Sequence, residues 1–307
     1  MAGRTRSFDR EAAWAFVPVV AVVPVWLGAM TALWLVPSRW LGFGSAFASF
    51  ALVYLTLGVS LFVPIVQRWV LTLMVGARRP HRNEADRIRP AFDEVVQAMH
   101  LRRHRFVVGV IDSSEPNAFA VGGHLVVVTS FAATNLDHDR LCGVLAHELC
   151  HHLGLHTVAL TIHQWLLLPV SLLARLGRYL DNVARAATNA FAGDSRPLLV
   201  VGRIVSGLFT ILGTVFGAGV AASNVIGNAV GRSAEFAADR RVVAAGFGRQ
   251  LADALRVTHA SSSRRPTHRR GRFDHLVETH PPALTRITRI EAALRARRRR
   301  HPSTGLD

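Results

Sequence analysis

The chain has 307 residues, 50% of them hydrophobic, with a mean hydropathy of +0.27 and a formal charge of +16. So apolar and so basic a composition argues against a soluble nucleic-acid binder and fits apolar spans in lipid flanked by arginines, since lysine is absent. The two cysteines, Cys142 and Cys150, exclude a disulfide framework: on one helix they stand about 12 Å apart, beyond disulfide reach, and a reducing compartment suits them.

An arm carrying Arg4, Arg6 and Arg10 precedes an uncharged stretch, Ala12 to Val36, long enough to cross a hydrocarbon core of ~30 Å as a helix. It exceeds the apolar region of a signal peptide. A second apolar stretch, Leu41 to Val66, follows a short link holding only Arg39, so residues 1–77 read as a transmembrane hairpin. Pro18, Pro24 and Pro64 are tolerable there, because neighbouring helices satisfy the freed carbonyls. The basic arm and the basic stretch Arg78 to Arg89 flank a nearly neutral link, which predicts that both ends face the cytoplasm.

Residues 78–156 have a globular pattern. A helix is expected over Ala91 to Met99 and a strand over Phe106 to Ile111. Ala118 to Val121 and Leu125 to Thr129 form a hairpin around Gly122 and Gly123. Asn135 or Asp137 caps a helix running to Leu155. Residues 157–230 hold two more apolar stretches, Val158 to Ala174 and Leu198 to Val230, that either span or lie embedded. Gly213 and Gly217 have the spacing of close helix contacts. Residues 231–307 resume the soluble pattern, with a Ser/Arg-rich linker from Ser261 to Arg272 and an Arg-rich terminal helix.

The string that carries chemistry is His147-Glu148-Leu149-Cys150-His151. Four residues apart on a helix, the two imidazoles share a face and can ligate one zinc ion, while Glu148 can take a proton from a metal-activated water. The neighbouring pair His152 and His156 has the same spacing, but Leu153 stands where a base is needed; these read as polar residues near the membrane surface. A third ligand is required. Downstream of His151 only Glu235, Glu278 and Glu291 are glutamates. Glu291 lies among arginines and Glu278 precedes the His280-Pro281-Pro282 turn. Glu235 shares a helix face with Asp239, which can hydrogen-bond a ligand imidazole. That spacing favours Glu235.

Four strings resemble, in order, the HtpX-type membrane zinc metalloproteases and the related CAAX prenyl endoproteases and Oma-type proteases. They are Asn117-Ala-Phe-Ala120, His147-Glu-Leu-Cys-His151, Glu235-Phe-Ala-Ala-Asp239, and Thr279-His-Pro-Pro282 followed by Arg286. The resemblance implies that Asn117 and Ala118 contact an extended substrate, that His280 stands close to the metal, and that Arg286 steadies Glu235 or the transition state. His156 departs from the family, which often has aspartate there.

The expected fold is α+β, mostly α: a zincin-like (gluzincin) domain with a small β-sheet, joined to transmembrane helices. The expected protein is a membrane-bound zinc endopeptidase with one Zn2+ per chain. It would act on polypeptides, membrane proteins above all, with the lipid bilayer as a partner and no specific nucleic acid. It would sit in the inner membrane as a multi-pass protein, its catalytic domain facing the cytoplasm. Membrane-protein quality control is the role that the resemblance implies. A signalling protease of the antirepressor sensor class and a non-enzymatic zinc scaffold are the alternatives. An intact Glu148 and three protein ligands rather than four count against the scaffold.

Overall fold

The computed structural model describes residues 10–41, 46–66, 69, 73, 76–121, 123–193, 195–263 and 281–300, which are largely helical with one small sheet. Among them, residues 17–58 and 162–227 form one compact unit and the remainder form another.

A short helix, Arg10–Ala15, precedes α1 (Val17–Leu41). Pro18 lies in the first turn of α1, where its missing N–H removes no helical bond. The stretch expected as a second full span is not one helix: α2 (Phe47–Ser60) has 14 residues, about 21 Å. It closes in tight turns, Phe62 N–H to the Val59 carbonyl and Val63 N–H to the Ser60 carbonyl. Val63 precedes Pro64, whose ring disfavours helical backbone in the residue before it.

In the second unit, α3 (Arg82–Ala98) buries Ile88, Phe92, Val95 and Val96. Glu84 accepts from the backbone N–H of His81 at 2.7 Å and from Arg78 at 2.7 and 2.8 Å, closing the first turn. The hydrogen bonds from the Arg78 guanidinium hold the Glu84 carboxyl below the usual carboxylate range, against the opposing effect of burial. Strand β1 (Val107–Ile111) pairs in parallel with β3 (Leu125–Thr129), and β2 (Ala118–Val121) pairs with β3 antiparallel, giving the order β1-β3-β2. The expected hairpin is therefore present, with β2 at the sheet's edge.

The short α4 (Ser130–Asn135) leads to α5 (His138–Leu153), whose N-cap Asp137 accepts from the Arg140 N–H at 2.9 Å. Leu141, Leu145 and Leu149 of α5 are fully buried in a core shared with α3, β3 and Leu251. Gly143 permits the closest approach in this core: a Cβ there would lie 2.4 Å from the Leu251 backbone nitrogen. Helix α5 ends two residues before the expected Leu155, because Gly154 is its C-cap and Leu155 takes a left-handed φ of 59°.

The next two helices outrun their apolar stretches: α6 is His156–Phe191 and α7 is Arg196–Ala245, 50 residues or about 75 Å. Within the hydrophobic unit, Val22, Trp26 and Met30 of α1 pack with Leu166, Val170 and Leu173 of α6 and Phe216 of α7. Of the two glycines singled out, Gly213 makes the close approach; a Cβ on Gly177 would lie 2.4 Å from its nitrogen. Along α7, Leu198, Val201, Ile204, Leu208, Ile211 and Val215 remain exposed. Among the described residues, three helical segments are long and apolar enough to cross a membrane, within Ala13–Leu35, His156–Phe191 and Arg196–Ala245.

The last elements among the described residues are α8 (Gly248–Ser263) and α9 (Ala283–Arg300). Ser261 to Ser263 thus continue a helix rather than begin the expected linker; the rest of that linker lies outside the described residues. Arg297 of α9 donates to the carbonyls of Val243 and Ala244, at 2.5 and 3.2 Å, so an arginine of the basic terminal helix caps α7.

Candidate metal centre

Two helices build the centre. On α5, the leucine face points into the core, and the 3.6-residue period turns His147 and His151 away from it. Near the end of α7, Ala234, Ala237, Ala238 and Val242 are buried, and Glu235 and Asp239 stand one turn apart beside the imidazoles. The two Nε2 atoms are 3.1 Å apart. Glu235 Oε2 lies 3.2 Å from His147 Nε2, and Glu235 Oε1 lies 3.1 Å from His151 Nε2. A tetrahedral ion with bonds of about 2.0–2.1 Å holds its donors roughly 3.3–3.4 Å apart, so this buried set of two imidazoles and one carboxylate fits a divalent metal. Glu148, next to His147, is itself 4% exposed.

The supporting groups form a second ring. Asp239 Oδ1 lies 3.2 Å from His147 Nδ1, the nitrogen on the far side of the ring from Glu235. This contact orients the imidazole so that Nε2 faces the other donors. Arg286, on the first turn of α9, donates to Asp239 from Nε at 3.0 Å and from Nη2 at 2.7 Å. Its Nη1 is 3.1 Å from Glu235 Oε2. This guanidinium is 5% exposed.

Electrostatics follow from that packing. Burial alone would raise Glu235, but the imidazoles of His151 and His147 outweigh it and hold the carboxylate well below its usual range. Burial likewise works against the charge of Asp239, while His147 and Arg286 bring it down to about 2. Burial and Arg286 disfavour a cationic His147, yet the carboxylates on either side push it up to about 9. The centre is built around anionic oxygen and attracts positive charge.

The structure thus brings together His147, His151, Glu235, Asp239 and Arg286. His280 and Glu278 lie outside the described residues. Glu291 is on the surface, paired with Arg256 and with Arg295 at 3.6 Å. Asn117 precedes β2 and Ala118 is its first residue, and the strand packs on α5. The expectation for His152 needs correcting: it is 1% exposed, with Nε2 3.2 Å from the Leu125 carbonyl and Nδ1 3.2 Å from Thr157 Oγ1. Those contacts make it a buried polar link between α5, β3 and α6. The ring of His156 stands edge-on to that of His151, with centroids 6.3 Å apart, which no spacing argument anticipated.

The profile of Peptidase family M48 matches residues 81–294, from the start of α3 into α9. The chain belongs to this family. A protein named Protease HtpX homolog from Acidiphilium cryptum is 27% identical over 286 residues, covering 86% of this chain and 93% of that protein. Another Protease HtpX homolog, from Salinibacter ruber, is 29% identical over 245 residues, covering 72% and 79%. The crystal structure of S. mikatae Ste24p has a TM-score of 0.51 at 18% identity. The likeness covers 90% of this chain, which spans 65% of the length of that one, and it bears on the fold alone. The M48 chain is a membrane metalloprotease: a metal-dependent hydrolase acting on peptides, as the resemblance to HtpX-type proteases implied. Neither the sensor-class protease nor the inert scaffold is favoured by these relatives.

Glu235→Ala is expected to lower metal occupancy by at least tenfold, whereas Glu291→Ala, at the surface, leaves it at the parent level. Metal analysis of the purified variants checks this, and equal loss in both would move the third ligand away from Glu235.

Proposed function

We propose that this M48 protease is a zinc endopeptidase of the cell membrane that cuts cytoplasmic parts of membrane proteins. The carrying observation is the convergence of His147 Nε2, His151 Nε2 and the Glu235 carboxylate beside Glu148. Two nitrogens and one oxygen suit zinc, and three protein ligands leave a position open for reaction. When bound, zinc lowers the pKa of water and polarises a carbonyl. Glu148 takes the proton of the attacking water and passes it to the leaving amine nitrogen. Asp239 and Arg286 hold His147 and Glu235 in place. Arg286, engaged by both carboxylates, is a positioning residue rather than a substrate contact.

Substrate would add as a strand to β2. The Asn117 carbonyl accepts from the Thr129 N–H at 2.9 Å, so by alternation Ala118 and Ala120 turn their backbone groups to the edge away from β3. The Asn117 side chain accepts from the Ala118 N–H at 2.9 Å and so shapes that edge. His280, three positions before α9 in the sequence, is the further polar group that the resemblance assigns to the proposed site.

The proposed segments are the hairpin 1–77, the helical pair 157–230, and a catalytic domain from 78–156 and 231–307. The uncharged run 204–231 of α7 precedes Glu235 by four residues, which supports a centre just outside the lipid, within reach of membrane-protein loops and ends. That placement supports a role in membrane-protein quality control.

Orientation is tested by thiol labelling of intact cells with an impermeant reagent. Native Cys142 and Cys150 are buried, so background labelling is low. Ser38→Cys, near the C-terminal end of α1 and so at the outer end of the proposed hairpin, is expected to react at once. His104→Cys, exposed on the catalytic unit, is expected to react only after lysis. The opposite pattern would place the catalytic unit outside. Chelation should abolish cleavage of an unfolded polypeptide by the detergent-solubilised protein, and zinc should restore it; cleavage that persists without metal would sink the zinc assignment.

A further inference from the structure

A second cluster of metal-ligating side chains lies where α3 packs on α5, apart from the M48 centre. His138 and Cys142 stand one turn apart at the start of α5, and Glu94 approaches them from α3. His138 Nε2 is 3.6 Å from Cys142 Sγ and 2.8 Å from Glu94 Oε2, a direct hydrogen bond that opens by about 0.5 Å when both atoms turn to a shared ion. A tetrahedral zinc ion with a nitrogen at about 2.0–2.1 Å and a sulfur at about 2.3 Å sets those two donors roughly 3.5–3.6 Å apart. The three donor atoms all lie within 4.8 Å of one another.

We infer that Glu94, His138 and Cys142 form a second metal site, for a thiophilic divalent ion such as zinc, that clamps α3 to α5. One thiolate, one imidazole and one carboxylate make a donor set that favours zinc over magnesium or calcium. The thiol lies at the buried end of the cluster, while Glu94 and His138 are about half exposed, which gives the ion an entry path and room for a water as fourth ligand. Desolvation, aided by Glu94 and Asp139, pushes the Cys142 thiol up to about 12; a bound cation is what turns it into a ligand, with release of a proton. Nine residues, about 13–14 Å along α5, separate His138 from His147. An ion at one end of α5 therefore stiffens the helix that presents the catalytic imidazoles at the other.

Cobalt(II) substitution of the full-length protein in detergent tests the inference. The catalytic set has nitrogen and oxygen donors only, so a thiolate-to-cobalt charge-transfer band in the near ultraviolet reports this site whether or not the catalytic assignment stands. The expected result is two cobalt ions per chain with the band present. Cys142→Ser should lose the band and one ion while keeping peptidase activity. His138→Ala, a change at a half-exposed position that the fold tolerates, should weaken cobalt binding at this site about tenfold or more. One cobalt per chain without the band would leave only a surface ion pair beside a buried thiol and overturn the site. A band that survives Cys142→Ser would also overturn it, pointing to Cys150.

Discussion

Glu148→Gln is expected to reduce peptide hydrolysis by about 10²–10⁴-fold while metal content stays at the parent level. The carboxamide keeps the shape of the side chain on α5, and the converging donors of His147, His151 and Glu235 are untouched. What disappears is the proton acceptor beside His147. The two readouts must therefore separate: metal analysis of the purified variant unchanged, cleavage of an unfolded polypeptide lost. A variant as active as the parent would remove Glu148 from the mechanism. Loss of metal together with activity would instead make Glu148 part of the ligand set.

The second large effect is expected at Arg286. This guanidinium is 5% exposed and bridges two carboxylates, with Asp239 at 2.7 Å and Glu235 at 3.1 Å. Removing one partner of a buried ion pair leaves uncompensated charge, and Arg286→Ala should destabilise the catalytic unit by about 3–5 kcal/mol. In thermal unfolding of the chelated protein this corresponds to a drop of roughly 10 °C. Arg286→Lys keeps the charge but loses the fork that engages Asp239 through Nε and Nη2, so it should recover only part of the loss. Metal affinity separates a positioning role from a merely structural one. If Arg286 orients His147 and Glu235 through their contacts, zinc affinity should fall about 10–100-fold even where Arg286→Lys remains folded. Full stability and full affinity in Arg286→Ala would show that Asp239 and Glu235 do not depend on it.

Much of the centre is legible in the sequence. The His-Glu-x-x-His spacing, the leucine period of α5 and the hairpin around Gly122-Gly123 are local patterns, and local backbone geometry alone turns them into a shared face or a paired edge. Glu235 was legible for the same reason: the four-residue step to Asp239 puts both carboxylates on one helix face. Arg286 came from resemblance, because nothing in its own neighbourhood marks it as the buried arginine among the many of α9.

Charge patterns were a weaker guide to helix ends. The apolar stretch read from Val158 stops at Ala174, just before Arg175, yet α6 continues to Phe191, and α7 runs through Arg232 to Ala245 without a break. A charge ends contact with lipid but does not end a helix, since arginine is a good helix former.

By itself the sequence determined the class of this protein: apolar spans, a helix with two imidazoles and a base, and a carboxylate one turn from its partner. Only the tertiary structure decided which groups meet across elements. It buried His152 between β3 and α6, set the ring of His156 beside His151, and brought Glu94 to His138 and Cys142. The physical reason is range: a helical period places residues within a few positions of one another, whereas contacts between distant segments arise when α3, α5, α7 and α9 bury their apolar faces together.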